Sequence, residues 1–316
     1  MDHDKVRCLV LGGCGFIGSH LVDGLLDRGY EVSVFDKSKV DTKNIKKNLS
    51  RINLIGGDFT NREDLKRAVT GIEYVFHFVG TTLPQSSTEN PVYDVESNVV
   101  STLNMLEIAK ANHVKKIIFA SSGGTIYGIP QQIPIPEDHP TNPICSYGVS
   151  KLIIEKYLYL YYKLYGLDYV SLRISNAYGE RQDPAGAQGA IAVFLGNILK
   201  GRPISIWGDG NVVRDYIHVG DIVSACLKAM EVQVLGQHVF NIGSGVGLSL
   251  NQLITSLKGV LDKEIQVQYG GGRNIDVPVN ILDVRLAREI LGWQPNISFE
   301  AGLKSTLRFL RESGNG

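Results

Sequence analysis

The chain has 316 residues, 43% of them hydrophobic and 20% charged, which suffices for one large domain or two modest ones and excludes extensive disorder. Lys+Arg and Asp+Glu both number 32, so the overall field gives no reason to expect nucleic acid as a partner. Met1 to Arg7 is short and polar, and no apolar stretch reaches membrane-spanning length, so neither a secretory leader nor a membrane partner is expected, and a cytoplasmic setting fits best.

Apolar runs at 7–11, 31–35, 52–55, 74–78, 116–121 and 169–174 alternate with helix-period segments at 15–28, 62–70, 95–112 and 146–165. Strand–helix repetition of this kind predicts an α/β fold: a Rossmann-type, doubly wound parallel sheet covered on both faces. After about residue 179 the rhythm breaks into shorter pieces punctuated by Pro184, Pro203, Gly208 and Gly210. The reading is a dinucleotide-binding domain at 1–178 and, over 179–316, a smaller C-terminal lobe that binds substrate, with a strand near 238–242 returning to the main sheet. Cys8, Cys14, Cys145 and Cys226 lack metal-ligand spacing, and free thiols without a metal are expected.

Gly12, Gly15 and Gly18 follow the first strand and open the first helix. Glycines there permit a tight turn, close backbone approach to a diphosphate and close helix–strand packing. The helix start at Phe16 and Ile17 would offer its free N–H groups to the anion. Asp36 ends the second strand, where a carboxylate can accept both adenosine ribose hydroxyls and repel the extra phosphate of NADP. NAD is therefore the expected cofactor, although Lys37 and Lys39 weaken the exclusion slightly.

Tyr147 and Lys151 stand four residues apart on the 146–165 helix and so project from the same face. A phenol with a pKa of about 10 is a poor base at neutral pH. A nearby ammonium and an oxidised nicotinamide would favour the phenolate, and a drop of three units needs roughly 4 kcal/mol. The stretch from Ser121 and Ser122 through Gly123, Gly124 and Thr125 to Gly128 follows another strand. Its hydroxyls could bond a substrate or cofactor, or simply make a turn.

Together these motifs resemble the extended short-chain dehydrogenase/reductase family, closest to its UDP-hexose 4-epimerase branch, over about residues 5 to 310. Further markers are His77 to Gly80, Arg173 to Gly179, Arg214 to Val219 and Arg273 to Asp276. The resemblance implies that Asp58 and Phe59 flank the adenine, that Phe78, Val79 and Gly80 line the cofactor, and that Asn98 braces the loop beneath it. Ser121 would adjoin the cofactor, Tyr147 would be the acid/base, and Lys151 would also hold the nicotinamide ribose. Asn176 would contact the sugar diphosphate, Trp207 would pack on the uracil, Arg214 and Arg273 would clamp the diphosphate, and Asp276 would accept from the ribose. Thr82, Gly123, Ala190 and Asn280 would line the sugar pocket.

Two departures bear on the reaction. Gly123 stands where most relatives carry a catalytic Ser or Thr, so Thr125 or Ser122 supplies the hydroxyl, or Tyr147 acts with little help. Gly124 and Thr125 replace the Asp-Glu pair of the sugar-nucleotide dehydratases, which disfavours dehydration. Asn280 occupies the place of a bulky Tyr in relatives restricted to plain hexoses, implying room for N-acetylhexosamines. Asp183 would repel a uronate carboxylate. The implied activity is reversible C4 inversion of a UDP-sugar by a homodimer paired through the 95–112 and 146–165 helices. The rivals are another sugar-nucleotide oxidoreductase and a non-catalytic NAD sensor.

Overall fold

The computed structural model describes residues 5–271 and 277–314. The first half runs β1 (Arg7–Leu11), α1 (Phe16–Asp27), β2 (Glu31–Asp36), β3 (Ile52–Gly56), α2 (Arg62–Val69) and β4 (Tyr74–His77). It continues with the short α3 (Pro84–Glu89) and α4 (Pro91–Asp94), then α5 (Ser101–Ala111), β5 (Lys116–Ser122), α6 (Ser146–Tyr165) and β6 (Asp168–Ile174). The second half holds β7 (Asn176–Tyr178), α7 (Ala190–Leu199), β8 (Ile204–Trp207), β9 (Val213–His218) and α8 (Val219–Glu231). Then come β10 (Val239–Ile242), β11 (Gly247–Ser249), α9 (Leu250–Leu261), β12 (Val267–Gly270), β13 (Val279–Asn280), α10 (Arg285–Leu291) and α11 (Phe299–Glu312).

Among the described residues, the main sheet has seven strands in the order β10-β6-β5-β4-β1-β2-β3, every pair parallel. Alternate residues of a strand face opposite sides of a sheet. Cys8 and Val10 accordingly enter the core under α1 and α8, while Leu9 and Leu11 enter the core under α2, α5 and α6. Burial on both faces explains why β1 reads as an unbroken apolar run. The 238–242 strand returns beside β6 as expected.

The chain winds outward from β1 through β2 to β3, then crosses to β4 on the other side of β1. That reversal opens a crevice outside the carboxyl ends of β1 and β4, the place where such sheets bind ligands. The lobe is built on β9, which pairs with β7, β11 and β13, next to a separate β8–β12 pair. Its own core includes Tyr178, Leu195, Ile204, Tyr216 and Leu253.

Two stretches differ from the sequence reading. The 95–112 segment begins with a π-helical turn at Val95–Val100 before α5, a local widening often found near functional sites. The 43–51 segment, where no element was expected, forms a 3-10 helix that buries Ile45. Cys8, Cys14 and Cys226 are buried, Cys145 is half-buried, and all four are free thiols. Among the described residues no helix is long and apolar enough to cross a membrane.

Candidate active site

The glycine turn lies at the mouth of that crevice. Gly12 takes φ +82°, a conformation that side chains with a Cβ rarely adopt, and its N–H donates to the Phe35 carbonyl (2.8 Å). A Cβ at Gly12 would lie 3.1 Å from the backbone of Phe78 and Val79, and one at Gly18 would lie 2.2 Å from the Gly12 carbonyl oxygen. Gly15 caps α1 with no side-chain hydrogen bond and no acid in the first turn, so the first N–H groups, at Phe16 and Ile17, face the crevice uncapped. Asp36 stands alongside. Its Oδ2 accepts from the Cys14 N–H (3.0 Å) and its Oδ1 from the Lys37 N–H (2.9 Å). A glycine turn packed too closely for side chains, an uncapped helix start and an anchored carboxylate fit a dinucleotide with a free ribose 2′-hydroxyl.

The rim residues are arranged less uniformly. Gly80 is exposed and Phe78 and Val79 are half-buried. Asp58 is exposed, with Oδ1 accepting from Thr60 (2.8 Å). The Phe59 ring, by contrast, is buried in the core and tilted against His77 at 5.2 Å between centroids. Asn98 receives the Thr81 N–H on Oδ1 (3.0 Å) and donates Nδ2 to Thr82 Oγ1 (3.2 Å), which ties down the loop beyond β4.

Helix α6 buries Ile154, Leu158 and Tyr161, a stripe at helical spacing, and ends at Gly166 in the left-handed region. Its first turn presents Tyr147, whose N–H donates to Ser87 Oγ (2.9 Å). Lys151 Nζ donates to the Ala120 carbonyl at the end of β5 (2.8 Å) and lies 5.5 Å from the Tyr147 ring centroid. The expected pair is formed. Burial pushes the Tyr147 phenol up to about 12, with Cys145 and Asp94 adding to it. Burial also pulls the Lys151 ammonium down to about 8, against the opposing pull of Asp94 and Glu155. Burial and the nearby acidic groups thus act against the phenolate.

The strand-end hydroxyls separate clearly. A Cβ at Gly123 would lie 2.5 Å from Leu282 Cδ1 and 2.9 Å from the Arg173 carbonyl oxygen, so no Ser or Thr fits there without displacement. Ser121 is buried and donates to Glu155 Oε1 (2.6 Å), which engages its hydroxyl with the core. Ser122 is buried at the same strand end. Thr125 Oγ1 is buried without a hydrogen-bond partner, an arrangement that is uncommon for a buried polar group.

On the lobe side, Asn176 opens β7 and pairs with Tyr216, and Ala190 opens α7 against the lobe core. Trp207 ends β8 with 54% of its surface exposed. Arg214 Nη1 donates to the carbonyls of Val213 (2.9 Å) and Val277 (2.6 Å). Asn280 is buried, its Nδ2 donating to the Gly123 carbonyl (3.1 Å) while its Oδ1 has no partner. Thr82 is buried and donates to Asp94. Asp183 is exposed and accepts from the Ala185 N–H (2.9 Å). Arg273 and Asp276 lie outside the described residues.

Sequence reasoning missed Asp94 and Glu155. Glu155 lies four residues beyond Lys151 and forms a two-point ion pair with Arg173, Nε–Oε1 3.1 Å and Nη2–Oε2 2.7 Å. Asp94 is an acid four residues before Asn98 at the edge of an apolar segment, a signal too slight to separate from a solvated helix face.

A dinucleotide cradle at the sheet's switch point, with a Tyr–Lys pair on the next helix face, defines an NAD-dependent enzyme of the extended short-chain dehydrogenase/reductase class. More particularly, the chain belongs to the NAD dependent epimerase/dehydratase family, which matches residues 8–243. It is similar to the UDP-glucose 4-epimerase of Thermotoga maritima solved with UDP-glucose, at 39% identity and TM-score 0.92, covering 98% of this chain and 99% of that one. The UDP-glucose 4-epimerase of Thermus thermophilus in complex with NAD shares 35% identity, with TM-score 0.89 and 97% and 99% covered. A UDP-N-acetylglucosamine 4-epimerase from Methanobrevibacter ruminantium, in complex with UDP-N-acetylmuramic acid, shares 31% identity, with TM-score 0.92 and 98% and 100% covered. The protein is an NAD-dependent enzyme of the epimerase kind.

Proposed function

We propose that the enzyme reversibly inverts C4 of a UDP-hexose through a transient 4-keto sugar. The observation that carries this is Lys151 lying against the Tyr147 ring beside the cradle, with no acid–base carboxyl pair at Gly124 and Thr125. NAD, when bound, supplies the hydride acceptor and then the donor. Tyr147 takes the C4 hydroxyl proton and later returns it from the same oxygen. Lys151 contributes a fixed positive charge that favours the phenolate at the moment of transfer. Thr125, whose buried hydroxyl awaits a partner, takes the place of the hydroxyl that Gly123 cannot carry. Trp207, Arg214 and Arg273 hold the nucleotide and diphosphate, leaving the sugar free to turn. Asp276 receives the nucleotide ribose.

Asn280, Thr82 and Ala190 leave the sugar pocket roomy enough for UDP-GlcNAc and UDP-GalNAc as well as UDP-Glc and UDP-Gal. The M. ruminantium relative, named for a UDP-N-acetylhexosamine, supports this range. A panel of these four sugars, assayed for C4 inversion without added NAD, tests the reading; an inert panel overturns it. Tyr147→Phe is expected to lose about 10²- to 10⁴-fold in turnover while keeping its NAD. Asn280→Tyr is expected to lose the acetylated sugars selectively, and an unchanged preference would refute the pocket assignment.

The α6 surface exposes Tyr159, Leu160, Leu164 and Tyr165, and the neighbouring helical segment exposes Val92, Tyr93 and Val100. An apolar area on this scale fits pairing of two copies through these helices in the cytoplasm. A purely monomeric species in sedimentation equilibrium would exclude it.

A further inference from the structure

Asp94, at the end of α4, is completely buried. Its Oδ2 accepts from Ser146 Oγ (3.0 Å) and Ser150 Oγ (2.6 Å). These two serines directly precede Tyr147 and Lys151 in the chain, and at a spacing of four they share one face of α6. A single oxygen thus grips the first turns of the catalytic helix at two points and fixes its rotation about its own axis. The other oxygen, Oδ1, accepts from Thr82 Oγ1 and from Asn98 Nδ2 (3.1 Å). Asn98 in turn receives the Thr81 N–H (3.0 Å). All four contacts come from groups able to donate to a carboxylate.

We propose that Asp94 is a positioning residue that fixes where Tyr147 and Lys151 point and sets the pH range in which the pair works. The assay, though not the geometry, rests on the epimerase reading above. A buried negative charge beside the pair makes both the phenol and the ammonium hold their protons more tightly. Other groups face the pair as well. Glu155, on α6 itself, is bound by Arg173. His77 on β4 is held neutral, burial driving it down to about 3. Cys145, just before the helix, has its thiol pushed up by burial. Among these, Asp94 alone bonds the serines that precede both members of the pair.

The test is the pH profile of kcat for Asp94→Asn beside the wild type, both loaded with NAD. Both limbs are expected to move to lower pH by about one unit, with kcat falling about tenfold or more and KM little changed. Ser150→Ala keeps the charge, so it should lower kcat severalfold with the limbs in place. Unmoved limbs in Asp94→Asn would overturn the proposal. If that variant fails to fold, Ser146→Ala/Ser150→Ala is read instead: lost kcat at unchanged KM and NAD content supports it, and full kcat overturns it. If the wild type turns over no UDP-sugar, the epimerase reading fails by itself. Tyr147 ionisation is then followed as the tyrosinate absorbance difference between NAD-loaded protein and its Tyr147→Phe variant, with the same displacement expected on Asp94→Asn.

Discussion

The two ends of the cleft are built on opposite plans. At the cofactor end the glycine turn packs on its own main chain: a Cβ added at Gly12 would lie 3.1 Å from the backbone of Phe78 and Val79, and one at Gly18 only 2.2 Å from the Gly12 carbonyl oxygen. At the lobe end the residues proposed to meet substrate are side chains on short strands, with Trp207 more than half exposed and Arg214 tethered to two carbonyls. Backbone contacts cannot rearrange without refolding, whereas side chains re-order easily. The contrast suits a cofactor that stays through many turnovers and a substrate that leaves after each.

The sharpest way to break this contrast is Gly18→Ala. The methyl group has no space between Gly12 and Gly13, and such overpacking costs about 1–3 kcal/mol or more. Copurifying NAD is expected to fall about 100-fold, measured by absorbance and by titration with fresh NAD; unchanged retention would show that the cradle is not backbone-limited. Trp207→Ala probes the other end. It should raise KM for the UDP-sugar about tenfold, since stacking on a base contributes about 1–3 kcal/mol, with kcat and bound NAD unaffected. A fall in kcat alone would mean that the indole acts on the sugar rather than the nucleotide.

The smallest expected effect concerns the seam between the two regions. Glu137 Oε1 accepts from the Asn241 N–H of the returning strand β10 (2.8 Å). Burial raises its carboxyl from 4.5 to about 7. Because the folded value lies above the unfolded one, this group's stabilising contribution is complete below about 4.5 and is lost as pH rises through about 7. Wild-type Tm should therefore decline between about pH 4.5 and 7 and level off above, and Glu137→Gln should flatten that decline by about 2–4 °C. Parallel curves for the two proteins would assign the decline elsewhere.

Much of the cofactor end was legible in advance. Gly12, Gly15, Gly18 and Asp36 follow local rules, because turn geometry and a helix start depend on residues adjacent in sequence. The Tyr147–Lys151 pair was legible for the same reason, and α6 spans the expected 146–165. What stayed hidden depends on contacts between distant segments. The bar on a hydroxyl at Gly123 comes from Leu282 and the Arg173 carbonyl, and nothing local reveals that the Phe59 ring packs on His77. Asp94 gathers Thr82, Asn98, Ser146 and Ser150 from three segments.

The sequence by itself determined the parallel sheet, the glycine turn and the Tyr147–Lys151 pair, since each is written in spacings of a few residues and in apolar periodicity. Only the tertiary structure decided which hydroxyl is buried without a partner, which carboxylate joins α6 to the loop beyond β4, and how burial opposes the phenolate. Those outcomes depend on desolvation and on donors supplied across the fold, and no local pattern encodes either.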